Sequence, residues 1–219
     1  MKKSIWILAI LFGMGAMMLT SCAEDDITPP VITILGDNPV DHLLNTTYTD
    51  AGATAQDDED GALIVTVTNP VEHNKIGTYN VEYRAEDNSG NVATAVRTVN
   101  IIVKQVSYIF TWAVSDSVVG VGQGIYDYNS TITTSSVADK ILIGNFGGFG
   151  NPVIVEATFD KFGNITIPNQ NLIGAPAGSE GTVTGTGTTS TNGNQLFIQY
   201  TISYTAGGTD TGYAVFTKM

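Results

Sequence analysis

The stretch TYNVEYRAEDNSGNVATAVRTVNIIV, residues 78–103, decides the architecture of the first half of the chain. From Thr78 to Ala85 apolar and polar residues alternate. Tyr79, Val81, Tyr83 and Ala85 point one way, and Asn80, Glu82 and Arg84 the other. A period of two is the signature of a strand with one face buried. Asp87-Asn88-Ser89-Gly90-Asn91 is a tight turn. Val92 to Val103 then reads as a long last strand, with Val99, Ile101 and Val103 sharing a face.

Upstream, Thr28-Pro29-Pro30 is extended, because proline restricts itself and its predecessor. Val31 to Leu35 is the first apolar β run, and Gly36-Asp37-Asn38-Pro39 turns the chain. Leu44 to Tyr48 predicts a short strand. Ala51-Gly52-Ala53 predicts a close-packed segment, and Leu63 to Thr68 another strand. About seven short strands at this spacing predict an immunoglobulin-like sandwich over residues 27–103. The chain has one Cys, so the disulfide of antibody-type domains is absent.

Residues 104–219 differ in composition. Of 24 glycines, 7 precede residue 104 and 17 follow it. Residues 22–103 carry 14 acidic and 3 basic side chains, and residues 104–219 carry 7 and 4. The shift predicts a domain boundary near Lys104 to Ser107. Beyond it come strand signals at 108–114, 123–134, 140–146, 152–159, 164–168, 182–188, 196–204 and 213–218. Asp160-Lys161-Phe162-Gly163 and Asn192-Gly193 are hairpin turns. The expectation is a separate antiparallel domain, a small up-and-down barrel whose closure removes exposed edges. Gly124-Ile125-Tyr126 resembles the lipocalin Gly-x-aromatic pattern, which is consistent with a lipocalin-like barrel. The fold class is therefore all-β.

The N-terminus supplies an address. Lys2 and Lys3 precede an apolar stretch from Ile5 to Leu19, too short for a comfortable membrane span. Leu19-Thr20-Ser21-Cys22 resembles the bacterial lipobox, so residues 1–21 are expected to be a lipoprotein signal peptide. The resemblance implies that Cys22 carries the lipid and that the membrane is the first partner. Ala23-Glu24-Asp25-Asp26 forms an acidic tether, residues 22–26, and resembles the surface-export signal of Bacteroidota lipoproteins. The expected location is the outer membrane, with the protein facing outward. Without Lys2 and Lys3 the chain holds 7 basic and 21 acidic residues, a net of −14. That charge argues against nucleic acid as a partner.

Residues 27–103 resemble the bacterial surface Ig-like module called DUF5011, also found in the Cry22Aa-type pesticidal crystal protein. The matching segments are Thr28 to Thr33, Gly36 to Pro39, Tyr48 to Ala55, Asp57 to Gly61, Ile76 to Val81, Tyr83 to Asp87 and Ser89 to Ala93. The resemblance implies an extracellular spacer or adhesion-type module without catalysis, and it transfers no ligand-binding residue.

Candidate chemistry is sparse. Asp57, Asp58 and Asp60 could hold Ca²⁺, but the alternating spacing of a calcium loop is missing, and a solvated acidic loop is the expectation. Asp87, Asn88 and Asn91 are better read as a turn. His42 and His73 lie far apart and no Gly-x-Ser-x-Gly elbow exists, so a hydrolase triad has no support. Glu156 and Asp160 fall on one strand face at ~13 Å, too far for glycoside hydrolysis. No catalytic residue, resident metal or cofactor is expected. The loop Asn145-Phe146-Gly147-Gly148-Phe149-Gly150-Asn151 is the candidate ligand-binding segment. Asn145, Phe146, Phe149 and Asn151 combine aromatic faces with amides, as sugar sites do; alternatively the rings fold back as a hydrophobic plug. Asp116-Ser117-Val118 resembles the Bacteroidota O-glycosylation motif, with Ser117 as acceptor.

Three functions stay open at this level. One is a lipid-anchored adhesion protein binding a glycan or protein. Another is an accessory component of an outer-membrane uptake assembly. The third is a lipocalin-like carrier, which requires an open apolar cavity of several hundred Å³.

Overall fold

The computed structural model describes residues 25–150 and 152–219. The signal segment, Cys22 and Asn151 lie outside the described residues. Seven strands form the first unit: β1 (Val31–Ile34), β2 (Val40–Leu43), β3 (Ala53–Asp57), β4 (Gly61–Leu63), β5 (Thr66–Thr68), β6 (Gly77–Glu86) and β7 (Val92–Ile102). They make two sheets, β1-β3-β4 and β2-β7-β6-β5. β6 and β7 pair in register from Gly77↔Ile101 to Glu86↔Val92. Val81, Tyr83 and Ala85 face the core with Val99 and Ile101, as the alternation of residues 78–103 requires.

Two strand expectations are corrected. Leu44 to Tyr48 is a turn: Asn45 sits at φ 63 and the strand is Val40–Leu43, paired in parallel with β7. Leu63 to Thr68 is split between two sheets. Ile64, 90% exposed, lies between β4 and β5 where the chain crosses over.

The inward row of β7 contains a cation. Arg97 is 1% exposed. Its guanidinium pairs with Asp50 and donates to the carbonyls of Leu35 and Gly52, all three from the segments that flank β1 and β3. Tyr83 and Tyr48 donate their hydroxyls to the same carboxylate, at 2.9 and 3.0 Å. The Arg97 carbon also lies 5.6 Å from the centre of the Tyr83 ring. One buried network thus bolts the two sheets together. Burial alone would raise the Asp50 carboxyl. The Tyr83 hydroxyl, the Gly52 N–H, the Tyr48 hydroxyl and Arg97 outweigh it and hold the group below its ordinary value.

The second unit is a closed barrel of eight antiparallel strands: β8 (Thr111–Gly120), β9 (Gly124–Thr134), β10 (Lys140–Gly144), β11 (Ile154–Phe159), β12 (Asn164–Asn171), β13 (Gly181–Thr189), β14 (Gln195–Tyr204) and β15 (Thr209–Lys218). Each strand pairs with its sequence neighbours, and β15 closes on β8 from Asp210↔Gly120 to Lys218↔Trp112. Eight strands leave an interior just wide enough for side chains. Trp112, Ile132, Ile143, Phe146 and Phe216 fill it, all fully buried. The barrel interior is therefore a packed core. That corrects the carrier reading, because these rings occupy the space a ligand would need.

The two units abut through the lower end of the barrel. Val103 N–H donates to the Lys161 carbonyl at 3.0 Å and Ile76 N–H to the Thr191 carbonyl at 2.7 Å. Lys161 pairs with Asp41 at 3.0 Å. Leu44 reaches the Asn192-Gly193 hairpin. Residues 121–123, 145–150, 172–180 and 205–208 lie at the opposite end, so the upper mouth points away from the Ig-like unit.

Removing one member of a buried, hydrogen-bonded ion pair strands the other. Arg97→Ala should cost about 3–5 kcal/mol, read as a lowered midpoint in chemical denaturation. A cost below about 1 kcal/mol would mean that the network does not hold the sheets together.

Candidate ligand site at the barrel mouth

Under the upper mouth the inward rows of β8, β9 and β14 place three polar side chains together. Asp116 is fully buried. Its Oδ2 accepts the Tyr200 hydroxyl at 2.6 Å and the Tyr128 hydroxyl at 3.1 Å, while its Oδ1 has no partner. Burial raises the Asp116 carboxyl above its ordinary value, against the lowering effect of the two tyrosine hydroxyls. The tyrosines move up as well, through burial first and then the neighbouring carboxylate. Gly212 makes the arrangement possible. A Cβ there would fall inside the Tyr200 ring, which crosses the strand at that point.

Above this network lies a cavity of about 190 Å³, lined by residues that include Tyr126, Phe149, Tyr200, Tyr204 and Asp210. Asp210 is 3% exposed. It accepts the Tyr204 hydroxyl at 2.6 Å and the Gly122 N–H at 2.8 Å. The wall is thus part aromatic and part carboxylate, with glycine backbone at Gly147 and Gly148. The volume is below that of sites for drug-sized ligands and suits a single ring.

The candidate loop divides between support and wall. Asn145, at φ 51, accepts the Gly150 N–H at 2.7 Å and donates to the Asn129 carbonyl at 2.8 Å. Both contacts hold the loop closed, so Asn145 serves as its brace. Phe146 is fully buried and packs edge-on against Tyr200, with ring centres 4.8 Å apart. This corrects its reading as a ligand contact: the ring is the upper plug of the core. Phe149 is half-buried and faces the cavity. Asn151 lies outside the described residues.

The other candidates sit elsewhere. Ser117 is exposed on β8, between Tyr213 and Ile125 of the neighbouring strands. The acid of its motif, Asp116, points into the barrel, out of reach of an enzyme acting on the folded chain. Asp57, Asp58 and Asp60 do not converge as a trio. Asp57 Oδ1 caps its own turn, Asp58 is exposed, and Asp60 grips Asn88 through two contacts of 2.7 Å. Glu156 is paired with Lys140 at 2.6 Å, while Asp160 caps the hairpin to Asn164.

The sequence reading missed Tyr126, Tyr204 and Asp210 as a group. Tyr204 and Asp210 meet across the β14–β15 hairpin, and barrel closure brings Tyr126 of β9 to them. It also missed a broad concavity of about 550 Å³ on the outer wall of β12 to β15, where Phe197 and Tyr213 stand exposed beside Gln199. Their alternation with the buried Leu196, Ile198 and Ala214 was the available signal.

A model of the bacterial surface protein Ig-like domain matches residues 32–101. The match covers the sandwich and stops before the barrel, and it fits a protein of the cell envelope. Among curated proteins nothing matches. A crystal structure of the lipoprotein BT2262 from Bacteroides thetaiotaomicron aligns over 87% of this chain and 100% of its own length, with 16% identity and a TM-score of 0.34.

The Asp116 site generates a pH test. A carboxyl whose folded value is raised contributes stability below its ordinary value of 3.8, and that contribution is lost as pH rises through the folded value. The stability of the Asp116→Asn variant relative to wild type should therefore be flat below 3.8 and should increase as pH rises above it. Urea midpoints measured across that range check this; a difference independent of pH would contradict it.

Proposed function

We propose that this is a non-catalytic, lipid-anchored surface protein whose Ig-like unit is a stalk and whose barrel mouth binds a terminal sugar of a glycan. The observation that carries this reading is the placement and make-up of the mouth. It lies at the end of the barrel remote from the Ig-like unit, and therefore remote from the N-terminal anchor implied by Cys22. Its cavity pairs aromatic faces with a carboxylate. A pyranose presents an apolar C–H face that packs on a flat ring, while its hydroxyls donate to carboxylates. Phe149, Tyr126 and Tyr204 supply the rings, and Asp210 the acceptor. The match to a bacterial surface Ig-like domain supports the stalk role.

An accessory role in an envelope assembly would use the outer wall instead, where Phe197 is 43% and Tyr213 52% exposed. The two readings separate by mutation. Binding of the intact chain to immobilised glycans should fall about three- to tenfold in Phe149→Ala and in Tyr126→Ala, since a lost stacking ring is worth ~0.5–1.5 kcal/mol. Tyr213→Ala should leave it unchanged. Loss of binding in Tyr213→Ala with the mouth variants intact would place the site on the wall and contradict the proposal. Phe146→Ala is not a test of binding, because deleting a core ring costs ~3–5 kcal/mol of stability.

A further inference from the structure

The end of the sandwich remote from the barrel gathers three carboxylates from three separate segments. Asp26 comes from the extended chain before β1, Asp57 from the end of β3, and Asp87 from the turn between β6 and β7. One oxygen from each lies within 4.8 Å of the other two. Asp57 is 4% and Asp87 6% exposed, so two of the three charges are withdrawn from water. Among the described residues no Lys or Arg pairs with any of them.

Hydrogen bonds account for only part of this cluster. Asp57 Oδ1 accepts the N–H groups of Glu59 and Asp60, at 2.9 and 3.0 Å. Asp87 takes two bonds from Asn91, at 2.7 and 2.8 Å. Asp26 Oδ1 accepts the Thr28 N–H at 2.9 Å. Asp57 Oδ2 and Asp26 Oδ2 are buried with no partner among the described residues. Leaving a buried charged oxygen unpaired costs several kcal/mol, and here two such atoms stand beside a third carboxylate. A cation at the centre of the three carboxylates would relieve that cost.

We propose that Asp26, Asp57 and Asp87 form a Ca²⁺ site. The donor set is all oxygen, which is what a hard cation takes. Calcium binds oxygens at about 2.3–2.6 Å, so ligands on opposite sides of the ion are separated by about 4.8 Å. The three oxygens all lie within that limit, so one ion can reach all of them. Water or a second carboxylate oxygen completes the shell. Asn91 and Asp60 hold the site in shape: Asn91 Nδ2 donates to the Asp26 carbonyl at 3.0 Å, and Asp60 ties its turn to Asn88. Asp26 stands four positions after Cys22. The ion therefore clips the start of the chain onto the sandwich and stiffens the stalk where it leaves the membrane. This differs from the trio Asp57, Asp58 and Asp60, of which only Asp57 takes part.

The test is calorimetric titration of the intact chain with CaCl₂, together with thermal unfolding in Ca²⁺, in Mg²⁺ and in chelator. A dissociation constant on the order of 10⁻⁴–10⁻³ M is expected, as in extracellular calcium modules. At about tenfold excess over that constant, Ca²⁺ should raise the unfolding midpoint by about 3–6 °C, and Mg²⁺ by less than half as much. Asp57→Asn should abolish both heat and shift. Asp26→Asn, in a residue outside every strand, should do the same while folding normally in chelator. No heat and no shift at millimolar Ca²⁺ would overturn the proposal. So would an equal shift with Mg²⁺, or an unchanged one in Asp26→Asn.

Discussion

The pairing of β15 with β8 is the constraint on which the rest of this molecule depends. It runs nearly the full length of both strands, from Asp210↔Gly120 to Lys218↔Trp112. By closing the meander it removes both sheet edges. It also sorts the connections by end. Strands of an up-and-down barrel alternate in direction, so the short hairpins at Asp160 and Asn192 share the lower end with the incoming chain. The two longest connections, after β10 and after β12, lie at the upper end. An open sheet would have spread Phe149, Tyr126 and Asp210 along a surface. The closed one brings them around one cavity of about 190 Å³.

Closure also decides what the barrel can hold. With eight strands the interior is a core, and its upper layer is polar because Asp116, Tyr128 and Tyr200 meet there. A buried carboxyl with one unpartnered oxygen is costly. Phe146 packs edge-on against the Tyr200 ring, and Gly212 gives that ring its room. The sandwich follows the same logic with different groups. Arg97 and Asp50 are buried as a pair between the two sheets. In both units the polar interior specifies how layers meet, while aliphatic side chains supply the burial. The Asp26, Asp57 and Asp87 cluster differs from the Arg97 and Asp50 pair because its charges have one sign only.

Most of the strands were legible from a period of two, and the pair β6 and β7 was legible in full. Arg97 and Asp116 were not singled out as buried charges, although the pattern carried the signal. Each occupies an inward position in its alternation, Arg97 in line with Val99 and Ile101, and Asp116 in line with Val114 and Val118. A charge in such a row is a sign of a buried network. What the sequence did not carry was the direction of rings in a glycine-rich loop. Asn145 and Gly147 both adopt positive φ, at 51 and 66, and these turns send Phe146 inward and Phe149 toward the cavity. Nor could spacing reveal that Leu63 to Thr68 changes sheets, since each half satisfies a strand pattern. The mouth and the acidic cluster are assembled from residues far apart in the chain, and only the closed barrel and the stacked sheets define them.

The central claim is that the barrel mouth faces outward from the cell, and a single cysteine tests it most directly. Ala177 lies exposed in the upper loop between β12 and β13. Cys22 is the only native cysteine and is consumed by lipid in this account. In Ala177→Cys, a membrane-impermeant maleimide should label the protein on intact cells as fully as after lysis, with the unsubstituted chain unlabelled in both. Labelling that appears only after lysis would place the mouth inside the envelope and contradict the account.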